Sequence, residues 1–302
     1  MKPSTLHYKP TRRDFLHVVT AVSAGSMATA VARATRAAES RAATNAGRIY
    51  KANKGGGIGK DKGAMIARLQ QYKSLGFDGI EGGSPEIKDI PGLRAAIRET
   101  GVPVHGVVDG VHWNQRLSSP DPKVRDVGRR ALEQAIRDTH AIGGSSVLLV
   151  PGKVSGPDEN HDHVWKRSIV EIRKVLPLSS RLGIHVLIEN VWNGFCEDAQ
   201  QMRDYIDEID SPWVGVYFDI GNVRKFGPSE DWIRTLGRRI VKLDVKDWGV
   251  NSGFCRLGEG DVNWPEVRKA LAEIRFSGWA TREGRDRSLE DTAQLMDELL
   301  DL

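Results

Sequence analysis

The sequence predicts an α/β fold, a (β/α)₈ TIM barrel, and three observations carry that expectation. Short runs rich in aliphatic and β-branched residues alternate eight times with helix-like stretches, the pattern of βαβ units feeding a parallel sheet. Several of those runs are almost continuously apolar, as in Val147-Leu148-Leu149-Val150 and Val186-Leu187-Ile188, which suits strands covered on both faces. Setting the N-terminal segment aside leaves about 265 of the 302 residues, close to the ~250 typical of such a barrel.

The N-terminal segment is set aside for its own pattern. Thr11-Arg12-Arg13-Asp14-Phe15-Leu16 reads as a twin-arginine export motif, an apolar and small-residue stretch follows to Ala32, and Ala32-Arg33-Ala34 fits a small-x-small cleavage site. The sequence thus predicts a signal peptide over residues 1–34, a spacer over 35–45 and one barrel domain over 46–302, exported by the Tat pathway to the periplasm or beyond. The apolar stretch falls short of the ~20 strongly apolar residues of a stable span, so no membrane anchor is expected. Lys2, Lys9, Arg12, Arg13 and Arg33 against Asp14 give this segment a net +4, equal to the charge of the whole chain. The remainder is formally neutral, which excludes the concentrated basic face of a nucleic-acid binder.

The expected strands, in order, are Arg48–Lys51, Phe77–Glu81, Val102–Val108, Ser146–Val150, Ile184–Glu189, Val214–Asp219, Ile240–Val245 and Trp279–Glu283. The expected helices are 62–74, 88–99, 122–141, 162–181, 197–208, 229–236, 264–274 and 288–301. Asp121-Pro122 opens the third helix and Ser288, with Asp291 three residues on, opens the last. Gly76, Gly101, Gly143 and Gly183 end others. An open doubly wound sheet is disfavoured: no Gly-x-Gly-x-x-Gly follows the first strand, and Lys54-Gly55-Gly56-Gly57 lacks the Lys-Ser/Thr continuation of a phosphate loop.

Barrels of this kind place their chemistry at the C-terminal ends of the strands. Strands five to eight deliver Glu189, Asp219, Asp244 and Glu283 there, each after an apolar run. One acidic strand end is as readily a helix cap or an ion-pair partner as a ligand. Four on adjacent strands would repel one another, and a divalent cation is the simplest compensator. An all-oxygen set favours Mg²⁺ or Mn²⁺ over Zn²⁺.

The runs Ile188-Glu189-Asn190, Phe218-Asp219-Ile220-Gly221-Asn222, Lys242-Leu243-Asp244-Val245-Lys246-Asp247, Leu257-Gly258-Glu259-Gly260-Asp261-Val262-Asn263-Trp264 and Arg282-Glu283 resemble the sugar phosphate isomerase/epimerase group of xylose-isomerase-like barrels. The resemblance spans residues 46–302 and is most specific over 184–284. It implies one divalent metal held by acidic and histidine ligands from strands five to eight, with two glutamates moving a proton at the substrate carbon. Glu189, Asp219 and Glu283 match that set, whereas Asp244 stands where the family usually has His. A dication among four carboxylates leaves about two negative charges, so cationic neighbours are needed. Lys246, Arg256 and Arg282 are the candidates, and Lys246, two residues after Asp244, is placed to neutralise it. A second departure is Trp192-Asn193-Gly194-Phe195-Cys196, where family epimerases often carry a further Glu.

Around that set, Glu81, His105, Trp113, Asn222, Lys246, Arg256 and Glu259 are expected to bind substrate. For His105 the alternative is a satisfied core histidine, and for Trp113 a residue that packs the lid. Glu259 is expected to orient substrate or Lys246. Cys196 and Cys255 are expected on loops of the same rim without a required disulfide. His161 and His163 read as surface residues. The expected activity is a sugar isomerase or epimerase acting by metal-assisted proton transfer next to a carbonyl, with Glu189 and Glu283 as the proton carriers. A keto-sugar lyase and a non-catalytic sugar-binding barrel are the alternatives. The expected partner is a small sugar, and a homo-oligomer is compatible with the sequence. An apurinic-site endonuclease would need several histidines at the rim, which has few.

Overall fold

A computed structural model describes residues 48–54 and 57–302. The export motif, the cleavage site and the spacer lie outside the described residues. Eight parallel strands close into a barrel, each followed by a helix on the outside. The order along the chain is β1 (Ile49–Lys54), α1 (Lys62–Ser74), β2 (Gly79–Ser84), α2 (Ile90–Thr100), β3 (Val104–Asp109), α3 (Pro122–Ile142), β4 (Ser146–Leu149) and α4 (His161–Leu182). It continues with β5 (His185–Glu189), α5 (Ala199–Ile209), β6 (Val214–Asp219), α6 (Ser229–Leu236), β7 (Ile240–Val245), a hairpin of β8 (Asp247–Gly249) and β9 (Gly253–Cys255), α7 (Trp264–Glu273), β10 (Gly278–Arg282) and α8 (Leu289–Leu300). β10 pairs with β1 from Ile49↔Gly278 to Asn53↔Arg282 and so closes the ring.

The expected capping residues set the helix ends. The side chain of Asp121 accepts from Lys123 N at 2.8 Å and that of Ser288 from Asp291 N at 3.2 Å, each satisfying an amide that the helix itself leaves free. Gly101, Gly143 and Gly183 close α2, α3 and α4 in the left-handed region, where a side chain would be strained.

Three features differ from the sequence reading. β1 runs on to Lys54 rather than ending at Lys51, because Asn53 and Lys54 continue the ladder to β2, with Lys54 opposite Glu81. The hairpin β8–β9 and a short 3₁₀ turn at Asn222–Lys225 fill the loops after β7 and β6. His161 and His163 are half-buried at the start of α4, with the His161 ring 4.9 Å from that of Phe195.

The large apolar core lies between barrel and helices. Within the barrel, Leu148, Leu187 and Tyr217 form a small apolar plug. Strand side chains alternate faces, so Leu187, Tyr217, Lys242 and Thr281 form the layer two residues below Glu189, Asp219, Asp244 and Glu283. Hydrogen bonds cross-link that layer: Tyr217 hydroxyl to Thr281 Oγ1 at 2.8 Å, Thr281 Oγ1 to His105 Nε2 at 3.1 Å, and Lys242 Nζ to His105 Nδ1 at 2.8 Å. Gly106 makes room for it, since a Cβ there would come within 3.0 Å of Lys242 Nζ and 2.8 Å of Ser146 O.

Candidate active site

The floor just described carries four carboxylates. β5, β6, β7 and β10 are consecutive around the ring, and they present Glu189, Asp219 and Asp244 at their last turns and Glu283 immediately beyond β10. Each residue offers one oxygen, and those four oxygens lie within 4.8 Å of one another. The two longer side chains come from the ends of the arc and the two aspartates from its middle. Asp219 and Asp244 are fully buried, and Glu283 is the most open of the four.

Two lysines share the charge. Lys54 Nζ lies 2.8 Å from Asp244 Oδ2 and 3.0 Å from Glu283 Oε2. Lys246 Nζ lies 3.0 Å from Asp219 Oδ2 and 3.2 Å from Glu283 Oε2. This corrects the expectation for Lys246: it reaches Asp219 and Glu283, and the counter-charge of Asp244 is Lys54. Lys54 is the residue that the sequence reading missed. Its signal was its place at a strand end, the same rule that selected the acids, hidden by ending β1 at Lys51.

The electrostatics follow from that geometry. Burial, with Glu283 and Asp219 adding to it, pushes the Glu189 carboxyl up to about 8 against the pull of the lysines. Burial would push Glu283 up as well, but Lys54 and Lys246 outweigh it and hold that carboxyl at about 2. Burial raises Asp244 well above the usual carboxylate range even with Lys54 opposing. Desolvation would lower Lys54, yet the surrounding carboxylates carry it well above its ordinary value.

The donor set fits a hard divalent cation. Asp244 Oδ1 is buried without a hydrogen-bond partner, and Asp219 Oδ2 meets Lys246 as an ion pair but accepts no hydrogen bond. Buried acceptors left in that state are costly, and oxygens converging from four directions are what Mg²⁺ or Mn²⁺ takes. A bound dication would favour the ionised form of all four carboxylates, and four negative charges, two ammonium groups and one dication then sum to zero.

Supporting residues fix the aspartates. Asn190 Nδ2 donates to Asp219 O and Asn190 Oδ1 accepts from Asp219 N, both at 2.9 Å. Asn222 N donates to Asp219 Oδ1 at 2.8 Å, and Asn222 Nδ2 donates to Asn190 O at 3.0 Å. Asn222, expected to bind substrate, is therefore a positioning residue for Asp219.

The other expected substrate residues divide. Glu81 is buried beside Lys54, neither carboxylate oxygen has a hydrogen-bond partner, and burial raises its carboxyl. His105 is a core histidine: it stacks on Trp279 at 4.5 Å, bonds Lys242 and Thr281, and is held well below its ordinary value by burial and by Lys242. That corrects its assignment to substrate, because both ring nitrogens are engaged beneath the rim. Trp113 is 44% exposed and rests edge-on against His112. His112 is the buried member of that pair; its Nδ1 accepts from Val150 N at 3.2 Å, and burial, with Lys54 nearby, lowers it to about 4.

Arg256 and Glu259 are corrected too. Arg256 Nε donates to Asp291 at 2.7 Å and Arg256 Nη1 lies 3.3 Å from Glu259, so this pair braces α8 and does not reach Lys246. Arg282 is buried and bound through Nε and Nη2 to Asp286 at 2.7 and 2.9 Å, so it supplies no charge to the cluster. In its place the hairpin contributes Phe254, whose ring lies 5.1 Å from Lys246 Nζ and stacks on Trp192 at 4.7 Å. Cys196 and Cys255 are both free thiols.

The family described as xylose isomerase-like TIM barrel matches residues 69–302. The chain belongs to it. Among curated proteins, the chain is similar to D-psicose 3-epimerase of Ruminiclostridium cellulolyticum, to which it is 27% identical over 71% of its length and 76% of the relative's. L-ribulose-5-phosphate 3-epimerase UlaE of Escherichia coli is 25% identical over 76% of this chain and 84% of its own. The fold is also that of the 3-keto-D-glucoside 4-epimerase YcjR from E. coli in its apo form, with a TM-score of 0.70 at 18% identity, covering 84% of this chain and 99% of that one. Asp244, the position at which the sequence reading expected a departure from the resemblance, is the carboxylate that Lys54 pairs with.

Proposed function

We propose that the chain is a carbohydrate isomerase or epimerase that moves a proton at the carbon next to a carbonyl. The observation that carries this is the convergence of Glu189, Asp219, Asp244 and Glu283 on one point, with a glutamate at each end of the arc. The relatives named as sugar epimerases support the same class. Glu189, Asp219, Asp244 and Glu283 would hold a divalent ion, Mg²⁺ or Mn²⁺, which when bound supplies polarisation of the carbonyl and of the neighbouring hydroxyl oxygen.

The protein's own groups do the rest. Glu283, kept ionised by Lys54 and Lys246, takes the proton from the substrate carbon at its carboxylate oxygen. Glu189, at the opposite end of the arc from Glu283, is the second proton carrier and serves the other side of that carbon. Lys54 and Lys246 stabilise the negative charge that develops on the substrate oxygens, and Glu81 accepts from a substrate hydroxyl. Residues 1–34 are proposed as a twin-arginine signal, so the enzyme would act after export.

The test is incorporation of carbon-bound deuterium from D₂O into a panel of ketoses and aldoses, with bound metal measured on the same purified protein. Glu283→Gln should lower exchange by at least ~100-fold, the low end of what one general acid–base group contributes. Exchange that survives this change overturns the assignment. Loss of water from the product would instead identify elimination.

A further inference from the structure

A cavity of about 610 Å³ opens beside the cluster, on the β1–β2 side of the rim. Lys54 and Glu81 line its inner end, and Lys54 touches both Asp244 and Glu283. Lys54 is thus shared by the lining of this cavity and the carboxylate cluster. A hexose, at the ~30 Å³ that liquid water allots to each heavy atom, fills about 360 Å³ at most. Even a hexose lying wholly inside it would leave roughly 250 Å³ unfilled, and one that presented its reacting carbon to the carboxylates would leave more.

The lining says what kind of group belongs there. Ile58, Met65 and Leu93 form an apolar wall, the sort of surface on which a sugar's carbon face packs. Three lysines, Lys54, Lys60 and Lys88, are matched by Glu81, Glu86 and Asp89. The start of α2 would be a natural phosphate site, but Asp89 caps it, accepting from Gly92 N at 2.8 Å. A phosphate there would face three carboxylates and find its amide donors taken. On the other side of the rim, a second cavity of about 500 Å³ is lined by Lys246, Glu283, Phe254, Arg256, Arg282 and the exposed Arg285. Of its cations, Arg256 and Arg282 already hold Asp291 and Asp286, and Lys246 holds Asp219 and Glu283.

We propose that the substrate is an uncharged sugar carrying a second sugar-sized unit, and that this unit lies in the cavity bounded by β1, β2 and the start of α2. The proposal rests on reading the carboxylate cluster as the proton-transfer site. It adds that the enzyme discriminates by size and against charge, through Ile58, Ile87 and Glu81 rather than through the cluster.

Three probes separate the possibilities: a ketohexose, the same ketohexose bearing a glucosyl group on its terminal hydroxyl, and the same ketohexose phosphorylated there. Binding by calorimetry and deuterium exchange are measured for each, over a set of epimeric ketohexoses. The disaccharide should bind at least ~10-fold more tightly than either other probe. Ile87→Trp, which fills a half-exposed part of the wall, and Lys60→Trp, at an exposed position where folding is not at risk, should each collapse the ratio between disaccharide and ketohexose. Equal affinities, a preference for the phosphate, or no binding of any probe overturns the proposal. So does a preference abolished by Phe254→Ala but untouched by Ile87→Trp, which would move the second unit to the other cavity. Tight disaccharide binding without exchange supports the cavity assignment while refuting the proton-transfer reading.

Discussion

Replacing Lys54 with methionine removes one of the two cations built into the carboxylate cluster while keeping most of the side chain's bulk. Its ammonium makes contacts of 2.8 and 3.0 Å to Asp244 and Glu283. At an effective dielectric of ~20, each is worth about 6 kcal/mol before desolvation. Desolvation cancels much of that, so the net effect of removing one partner from a buried pair is about 3–5 kcal/mol. In a barrel of this size, ~1 kcal/mol corresponds to roughly 2–4 °C in melting temperature, and the metal-free variant should melt about 10 °C lower. A divalent ion then becomes the main remedy for the exposed charge. If half the loss is recovered on binding, Mn²⁺ should bind at least ~10-fold more tightly to the variant than to the parent. Calorimetric titration with MnCl₂, together with melting curves with and without the ion, gives both numbers. Weaker Mn²⁺ binding in the variant would refute the reasoning. Lys54 would then be holding Asp244 in place for the ion rather than competing with it.

Other consequences are as specific. Burial lifts the Asp109 carboxyl to about 7 from 3.8, so the folded state prefers it protonated. Its contribution to stability is whole below about pH 4 and is lost as pH rises through 7. Asp109→Asn should flatten the fall in melting temperature between pH 5 and 8, a difference of a few kcal/mol at the upper end, and an unchanged pH profile would contradict this. Gly106→Ala places a methyl against Lys242 Nζ and Ser146 O and should cost about 1–3 kcal/mol by urea unfolding. Arg282→Lys loses the two-point hold on Asp286 and should cost about 3 kcal/mol; a variant as stable as the parent would show that Asp286 finds another donor. A thiol reagent should modify Cys255 in the native protein and Cys196 only after unfolding, since Cys196 is buried and its thiol is raised by burial. Two native thiols reacting at equal rates would argue against that burial.

The sequence determined the barrel and its acidic rim, because both are written in local terms. Most strands from β3 onward are apolar runs of the right length, every α-helix of the barrel but Ser229–Leu236 starts at a residue whose side chain caps it, and the C-terminal end of a strand is a position that counting can find. That is why Glu189, Asp219, Asp244 and Glu283 were legible as a set. What the tertiary structure decided is which charges meet. Lys54 and Asp244 are 190 residues apart, brought together only because β10 closes on β1. Closure also redirected Lys246 from its sequence neighbour Asp244 to Asp219 and Glu283. It turned His105 into a core residue and bound Arg256 and Arg282 to acids of the last loop and helix. Charge pairing depends on distance through space and on burial, and neither is recorded in spacing along the chain.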